Sequence, residues 1–144
     1  MGFGIPAGMG AKLGCPDSTV ITIVGDGGFQ MTMQELGTIL QYNIGVKMII
    51  LNNNFLGMVR QWQDMFFDKR YASTELVNPD FVMIGKAFRI PSKKITIRED
   101  LKEALTEMLN TEGPYLMEIK VEMQGNVFPM IEPGKAVSEI RLTY

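Results

Sequence analysis

Histidine is absent from this 144-residue chain, and cysteine occurs once, at Cys15. The absence of histidine excludes Ser-His-Asp and Cys-His catalysis within the chain, and every zinc site that needs an imidazole ligand. A single cysteine excludes an internal disulfide and a cysteine-rich metal cluster. We therefore expect Cys15 to be a loop or packing residue, and the protein to lie in a reducing compartment, the cytoplasm.

The chain also has no large excess of charge of either sign, because 14 basic and 16 acidic residues leave a net charge of −2. This balance predicts neither a nucleic-acid partner nor binding to an anionic membrane. No apolar run approaches the roughly 18–20 residues that a membrane-spanning helix requires. Hydrophobic residues make up 46% of the chain, which fits about one globular domain of this length.

The chain is organised around two apolar runs that end in polar residues. Val20–Val24 ends at Gly25-Asp26-Gly27-Gly28, and Val46–Leu51 ends at Asn52-Asn53-Asn54. Both runs predict buried parallel strands, whose carboxyl ends form the ligand-binding edge of an open α/β sheet. One carboxylate and one amide oxygen suit Mg²⁺, and the glycines let backbone N–H groups approach a phosphate.

Helices are predicted on either side of these runs. Small residues at Gly4, Gly8 and Ala11 indicate that an N-terminal helix, ending near Gly14, packs closely against a neighbouring element. Capping boxes and an N-terminal proline then predict three helix starts. These signals are Thr32-x-x-Glu35, Asn78-Pro79-Asp80 and Thr96-x-x-Glu99.

Further strands are predicted at residues 94–97 and 115–119. The alternation predicts an α/β fold of three layers, with a mostly parallel sheet and helices on both faces. Residues 1–123 are expected to form this domain, and residues 124–144, which have no clear period, a C-terminal tail or lid. The glycine-rich start has no strand before it, so we expect the sheet to lack its first strand and the domain to be incomplete there.

A helix is also predicted to leave directly from the second strand end. Met58, Trp62, Met65 and Phe66 share one stripe of it. Such a stripe is compatible with core packing, but its position beside the predicted metal site favours the wall of a cofactor or substrate pocket.

The pair Gly25-Asp26-Gly27 and Asn52-Asn53 resembles the signature of thiamine diphosphate enzymes. Over nearly its whole length the chain resembles, more narrowly, the C-terminal part of the large catalytic subunits of acetolactate synthases. The segments that carry this resemblance are Met1–Ala7, Leu56–Gln63, Asn78–Phe81 and Val127–Gly134.

The resemblance implies a set of site residues. Asp26 and the side chain of Asn53 would bind Mg²⁺ together with the backbone carbonyl of Phe55, and Gly27 and Gly28 would hold the diphosphate. Met58 and Trp62 would line the substrate channel. The full set implied to bind the cofactor is Met1, Asp26, Gly27, Gly28, Asn53, Phe55, Leu56, Gly57, Met58 and Val59.

The reaction implied by the resemblance is a transferase step of branched-chain amino acid biosynthesis. Pyruvate is decarboxylated, and its two-carbon unit passes to a second 2-keto acid, pyruvate or 2-ketobutyrate. Thiamine diphosphate and Mg²⁺ would bind here, whereas FAD is expected only in a middle domain outside this chain. The activating glutamate is expected in an N-terminal domain of another subunit. We therefore assign no catalytic residue to this chain and expect it to be inactive alone.

Partners and alternatives follow from the same resemblance. The expected assembly is a homodimer or higher oligomer, with or without a regulatory small subunit. Another thiamine diphosphate enzyme, a 2-keto acid decarboxylase or glyoxylate carboligase, would share the metal site, although Gly57–Trp62 favours acetolactate synthase. A non-catalytic module that docks a partner through exposed Met and Phe residues is the other alternative.

Overall fold

The computed structural model of the protein describes residues 1–123 and 125–143. A four-stranded sheet forms its centre, in the order β1-β2-β4-β3, and every neighbouring pair is parallel. The strands are β1 (Ile21–Gly25), β2 (Lys47–Asn52), β3 (Ser92–Ile95) and β4 (Tyr115–Lys120). The predicted α/β class with a parallel sheet is confirmed.

Helices connect these strands. They are α1 (Gly4–Gly14), α2 (Asp26–Gln30), α3 (Leu36–Tyr42), α4 (Gly57–Phe66), α5 (Phe81–Ala87) and α6 (Leu101–Asn110). Short 3₁₀ turns lie at Met33–Glu35, Arg98–Asp100 and Val137–Glu139. No helix among the described residues is long and apolar enough to cross a membrane.

Two hydrophobic cores lie on opposite faces of the sheet, because side chains alternate along each strand. Met48 and Ile50 of β2 belong to the larger core, which also contains residues of α1, α2, α3 and α5. Ile49 belongs to the smaller core, which α6 closes with Ala104 and Met108. Helices therefore cover both faces, as the three-layer prediction required.

The edge strand β1 differs from its prediction. It was expected to be buried, yet Ile21 is 44% exposed and Ile23 62% exposed. Only the face that carries Thr22 and Val24 packs against a helix, α1. On the opposite face α6 packs against β3 and β4, at the far side of the sheet from β1. The apolar composition of the strand therefore misled the prediction that both faces are buried.

Close packing between α1 and β1 is confirmed. A Cβ atom at Gly4 would lie 2.2 Å from Val24 Cγ1, and one at Gly8 would lie 2.8 Å from Thr22 Cβ. The absence of these side chains lets Thr22 Oγ1 donate a hydrogen bond to the Gly4 carbonyl at 2.9 Å. Ala11 is exposed and takes no part in this contact.

The predicted capping boxes are wrong in both places. Thr32 does not cap a helix with its side chain, because its hydroxyl donates to the Gly2 carbonyl at 3.1 Å. Glu35 instead accepts a hydrogen bond from Thr38 Oγ1 at 3.2 Å. Near Thr96, the 3₁₀ turn that precedes α6 begins at Arg98 and has no side-chain cap. Tertiary contacts and turn geometry outweigh the local signal at both sites.

Two boundaries are also shifted. Asp80, rather than a residue before Pro79, is the N-cap of α5, and its carboxylate accepts from the Met83 N–H at 2.8 Å. The third strand is Ser92–Ile95 instead of 94–97, because Ser92 pairs in register with Leu116 of β4.

The C-terminal segment contains no strand and no α-helix within residues 125–143. It is held by an antiparallel bridge between Met130 and Arg141, and by contacts of Val127 with α4. The predicted boundary between domain and tail falls on Gln124, which lies outside the described residues. The division into domain and tail stays a prediction.

Candidate functional site

A cavity of about 560 Å³ lies at the carboxyl ends of β1 and β2, where the two strands pass into α2 and towards α4. Every residue predicted to bind the cofactor, from Met1 and Asp26 to Val59, is part of its wall. The fold therefore gathers into one place residues that are spread over 59 positions of the sequence. Residues of the wall that the sequence analysis missed are Ile23, Val24, Gly25, Leu51, Val121, Glu122 and Gly125.

Asp26 is the charged residue at the centre of this edge, and it is only 1% exposed. The strand β1 ends at Gly25, so Asp26 is the first residue of α2. Its Oδ2 accepts two hydrogen bonds, one from the Asn54 N–H at 2.9 Å and one from Asn78 Nδ2 at 2.6 Å. These donors come from two different loops, and they fix the orientation of the carboxylate.

The other carboxylate oxygen, Asp26 Oδ1, is buried and has no hydrogen-bond partner among the described residues. A buried anionic oxygen without a partner is costly, and its presence in a native site points to a ligand. Hard divalent cations such as Mg²⁺ bind carboxylate oxygens and retain positions for phosphate and water. The donor chemistry at Asp26 therefore fits such an ion.

Asn53 and Phe55 lie beside Asp26 in the same cavity. Asn53 Oδ1 accepts the Phe55 N–H at 3.1 Å, which leaves one lone pair of that amide oxygen for another ligand. No group of three or more acidic, cysteine or histidine residues able to hold a metal occurs among the described residues. The predicted ligand set needs no such group, because it pairs Asp26 with one amide oxygen and one backbone carbonyl.

The glycines of the cavity wall differ in whether the surrounding structure leaves room for a side chain. A Cβ atom at Gly27 would lie 2.5 Å from Leu56 Cδ2, so this glycine makes room for a protein side chain. At Gly57 a Cβ atom would lie 3.2 Å from Asn53 Nδ2. At Gly28 it would meet nothing within 4 Å, although the residue lines the cavity. Packing therefore accounts for Gly27, whereas nothing in the fold requires glycine at position 28.

The apolar stripe of α4 is not a core stripe. Met58 is 51% exposed and lines the cavity, while Trp62 is 38% exposed and lies outside the cavity wall. The Trp62 ring packs edge-on against Phe66 with 5.4 Å between ring centroids. The residue of α4 that is fully buried is polar, Gln61.

Asn78 is the polar neighbour of Asp26 that sequence reasoning missed. Its local pattern indicated only a helix start, because it is followed by Pro79 and Asp80. The contact with Asp26 joins residues 52 positions apart, and no local spacing records it. Asn78 Oδ1 also accepts a hydrogen bond from Gln30 Nε2 at 2.7 Å, so both ends of the amide are held.

Comparison with known families agrees with this geometry. Residues 1–119 match the family described as thiamine pyrophosphate enzyme, C-terminal TPP binding domain. The chain therefore belongs to this family of thiamine diphosphate-binding domains. The solved structure of a thiamine diphosphate-dependent 4-hydroxybenzoylformate decarboxylase from Rhodococcus jostii RHA1 superposes with a TM-score of 0.81. That match is 29% identical and covers 87% of this chain and 24% of the decarboxylase.

Within the family, the similar proteins are acetolactate synthases. The isozyme 2 large subunit of Escherichia coli is 46% identical over 141 residues, which are 97% of this chain and 26% of that subunit. The mitochondrial enzyme of Schizosaccharomyces pombe is 45% identical over 142 residues, 99% of this chain and 21% of that enzyme. The resemblance found in the sequence is confirmed, and the chain spans about a quarter of the length of these relatives.

Proposed function

We propose that this chain is the part of an acetolactate synthase that holds thiamine diphosphate through Mg²⁺. The observation that carries the proposal is the buried, unpartnered Oδ1 of Asp26, which lies in a cavity formed by the residues expected to contact the cofactor. Family membership supports the cofactor, and the identity to acetolactate synthases supports the reaction.

The proposed roles follow from the donor atoms available. Asp26 Oδ1, Asn53 Oδ1 and the Phe55 carbonyl would hold the ion, and the backbone around Gly28 would lie against the diphosphate. Met58 and Val59 would form the apolar wall beside the organic part of the cofactor. When bound, thiamine diphosphate supplies the carbon nucleophile and the electron sink for decarboxylation of a 2-keto acid. The chain's own residues bind, orient and shield the cofactor.

A two-carbon transfer from pyruvate to a second 2-keto acid is the reaction we propose for the complete enzyme. Relatives that are 46% and 45% identical carry the name acetolactate synthase, whereas the structural match to a decarboxylase is 29% identical. The difference in identity favours acetolactate synthase over a 2-keto acid decarboxylase. Met58 and Trp62 stay our predicted substrate-channel residues, with Trp62 one helical turn beyond the cavity wall.

Calorimetric titration of the purified chain tests the cofactor site. We expect thiamine diphosphate to bind in the presence of Mg²⁺, not to bind in the presence of EDTA, and not to bind to Asp26→Asn with either addition. This substitution removes the charge but keeps the size of the side chain, and an unchanged thermal unfolding temperature of the metal-free variant would show that the fold is intact. Failure of the wild-type chain to bind would contradict the proposed site. A non-catalytic docking module would be insensitive to this substitution.

An exchange of segments tests the reaction. The matching segment of the Escherichia coli isozyme 2 large subunit is replaced by this chain, and the products formed from pyruvate, with and without 2-ketobutyrate, are measured. Acetolactate and its 2-ketobutyrate-derived homologue are the expected products, and both should vanish with Asp26→Asn in the exchanged segment. Release of free aldehyde as the main product would instead indicate a decarboxylase.

Several expectations from the sequence analysis stay predictions. They are the activating glutamate and FAD outside this chain, the inactivity of this chain alone, assembly into a homodimer or higher oligomer, a regulatory small subunit, and a cytoplasmic location. Size measurement of the purified chain and of the exchanged enzyme would test the assembly.

A further inference from the structure

We propose that Glu118 is a positioning residue that orients Asp26 for the metal ion through Asn52 and Asn78. The inference rests on the proposed metal site, and it concerns a residue that does not line the cavity. Glu118 lies in the middle of β4 and is 1% exposed. A buried carboxylate in a central strand has a large desolvation cost, so its partners deserve an explanation.

The first link joins Glu118 to Asn52. Glu118 Oε1 accepts a hydrogen bond from Asn52 Nδ2 at 2.7 Å. The same oxygen forms an ion pair with Lys94 Nζ at 3.0 Å. An ionised carboxylate can only accept hydrogen bonds, so it draws the NH₂ group of Asn52 towards itself. The Asn52 carbonyl oxygen must then point to the opposite side.

The second link joins Asn52 to Asn78. Asn52 Oδ1 accepts from Asn78 Nδ2 at 3.0 Å, from the Asn54 N–H at 3.1 Å and from Lys120 Nζ at 3.3 Å. Asn78 therefore presents its NH₂ group to this side, and the same nitrogen donates to Asp26 Oδ2 at 2.6 Å. Gln30 Nε2 also donates to Asn78 Oδ1, so the observed orientation of each amide gives its oxygen a donor and its NH₂ group an acceptor. Glu118 Oε2, like Asp26 Oδ1, has no hydrogen-bond partner among the described residues.

The series ends at the proposed metal ligand. Asp26 Oδ2 is occupied by two donors, and Asp26 Oδ1 has no partner within the part of the chain that the structure describes. If Asn52 were reversed, its oxygen would face the Glu118 carboxylate and its NH₂ group would face that of Asn78. Both contacts would be repulsive, so the acceptor oxygen of Glu118 favours the observed orientation of Asn52 and with it the arrangement that leaves Asp26 Oδ1 available. Donors from Asn54 and Lys120 support the same orientation.

A purely structural ion pair between Glu118 and Lys94 is the competing explanation. Lys94 has a side chain that is 49% exposed, so the pair is only half shielded from water. That explanation predicts a loss of stability without a specific loss of metal affinity. The positioning role predicts that metal affinity falls when the acceptor is removed and returns when an uncharged acceptor of the same shape is supplied.

The test compares Mg²⁺ affinity, measured by calorimetry with thiamine diphosphate present in excess over the protein. Glu118→Met removes the acceptor, and we expect affinity to fall by about 10–100-fold, as for other residues that support a metal ligand. Glu118→Gln keeps a carbonyl oxygen for Asn52, and we expect it to recover most of that affinity. Met108→Ala, in the smaller core, is the matched control that lowers the unfolding temperature and leaves affinity unchanged.

Two further measurements keep the test decisive if Glu118→Met folds poorly. Asn78→Ala breaks the last link without touching Glu118, and we expect a similar loss of affinity; together with Glu118→Met the loss should not add, because both act along one path. In the metal-free chain, the side-chain amide NMR signals of Asn78 should lose their dispersion in Glu118→Met but not in Met108→Ala.

The outcomes separate the inference from the function on which it rests. If the wild type binds Mg²⁺ and the affinity of Asn78→Ala or Glu118→Met is the same as that of the wild type, the positioning role is overturned. The proposed metal site is then left intact. Equal loss of affinity in Glu118→Gln and Glu118→Met would also overturn it, because the orientation of Asn52 would then not be the cause. Absence of wild-type binding would overturn the proposed site itself.

Discussion

Gln61 holds the backbone of Val127 through a pair of hydrogen bonds. Gln61 Nε2 donates to the Val127 carbonyl at 2.9 Å, and the Val127 N–H donates to Gln61 Oε1 at 2.7 Å. Gln61 is 1% exposed, although most other residues of α4 are half-buried or exposed. One side chain of α4 therefore fixes the backbone of the C-terminal segment at Val127.

Replacing this side chain should release the segment. Gln61→Met keeps the volume but removes both hydrogen bonds, and we expect a loss of about 1–2 kcal/mol in the free energy of unfolding. Limited proteolysis with trypsin should then cut faster at Lys135 and Arg141. Protection of both sites equal to that of the wild type would contradict the anchoring role.

The same helix offers a matched control. Gln63 holds Ala72 in the same way, with 3.0 Å from Nε2 to the carbonyl and 3.0 Å from the Ala72 N–H to Oε1. Gln63→Met should loosen the loop around Ala72 and leave cleavage at the C-terminal sites unchanged. A comparison of the two variants separates anchoring of the segment from general weakening of α4.

The contact between α1 and β1 gives a prediction about glycine. Gly4→Ala would place a methyl group 2.2 Å from Val24 Cγ1, and we expect it to destabilise the fold by about 1–3 kcal/mol. Gly10→Ala, on the same helix, meets nothing within 4 Å and should stabilise it by about 1 kcal/mol. Denaturant unfolding of both variants measures the difference. Equal effects of the two substitutions would mean that the helix does not pack on β1 as observed.

The local sequence predicted the parts of the fold that depend on local patterns. The polar ends of β1 and β2 placed Asp26 and Asn53 correctly at one edge of the sheet, because parallel strands bring their carboxyl ends together. Helices were likewise predicted correctly near α3 and α6, although the capping boxes that indicated them are not formed. The resemblance to a known family supplied further members of the cavity wall, such as Met1, but not Ile23 or Val121.

What the sequence could not predict depends on distant partners. The capping signal at Thr32 failed because its hydroxyl binds the Gly2 carbonyl, 30 residues away. Burial of Ile23 was predicted from composition, but a strand at a sheet edge has cover only where a helix reaches it. The series from Glu118 to Asp26 links residues more than 50 positions apart at each side-chain contact except that between Asn52 and Asn78. No spacing rule records such a contact.

Tyr115 makes stability depend on alkaline pH. Burial, and a hydrogen bond from its hydroxyl to Glu107 Oε1 at 2.8 Å, raise the pKa of Tyr115 to about 12 from its ordinary value of 10.0. Because the folded state holds the phenol proton of Tyr115 more tightly, the contribution of this residue to the free energy of unfolding is complete below the pKa that Tyr115 has in the unfolded chain. It is lost as pH rises through the folded pKa. We expect the free energy of unfolding to fall between those two values.

Substitution of this tyrosine gives the check. Tyr115→Phe should lose about 1 kcal/mol at neutral pH with its hydrogen bond, and its stability should decline less steeply above about pH 10. Glu107→Gln removes the acceptor charge but leaves Tyr115 buried. The pH at which the tyrosinate absorbance appears should therefore move only part of the way back towards the ordinary tyrosine pKa of 10.0. An alkaline slope in Tyr115→Phe as steep as in the wild type would exclude Tyr115 as its source.

Gly27 and Gly28 separate folding from ligand binding within one turn. Gly27→Ala would place its methyl group 2.5 Å from Leu56 Cδ2 and 3.0 Å from Leu76 Cδ1, so it should lower the unfolding temperature of the ligand-free chain. Gly28→Ala meets nothing within 4 Å, so it should leave that temperature unchanged or raise it. If the diphosphate lies against residue 28, the added methyl group should weaken thiamine diphosphate binding in calorimetry by about tenfold or more.

The two glycine substitutions are informative as a pair because their effects on the unfolding temperature and on thiamine diphosphate affinity should differ. A structural role for both glycines would make loss of affinity follow loss of stability. Full affinity in a stable Gly28→Ala variant would instead remove residue 28 from the proposed diphosphate site. Since Asp26 and Asn53 are untouched by this change, such a result would leave the metal proposal standing and move the diphosphate towards another part of the cavity wall.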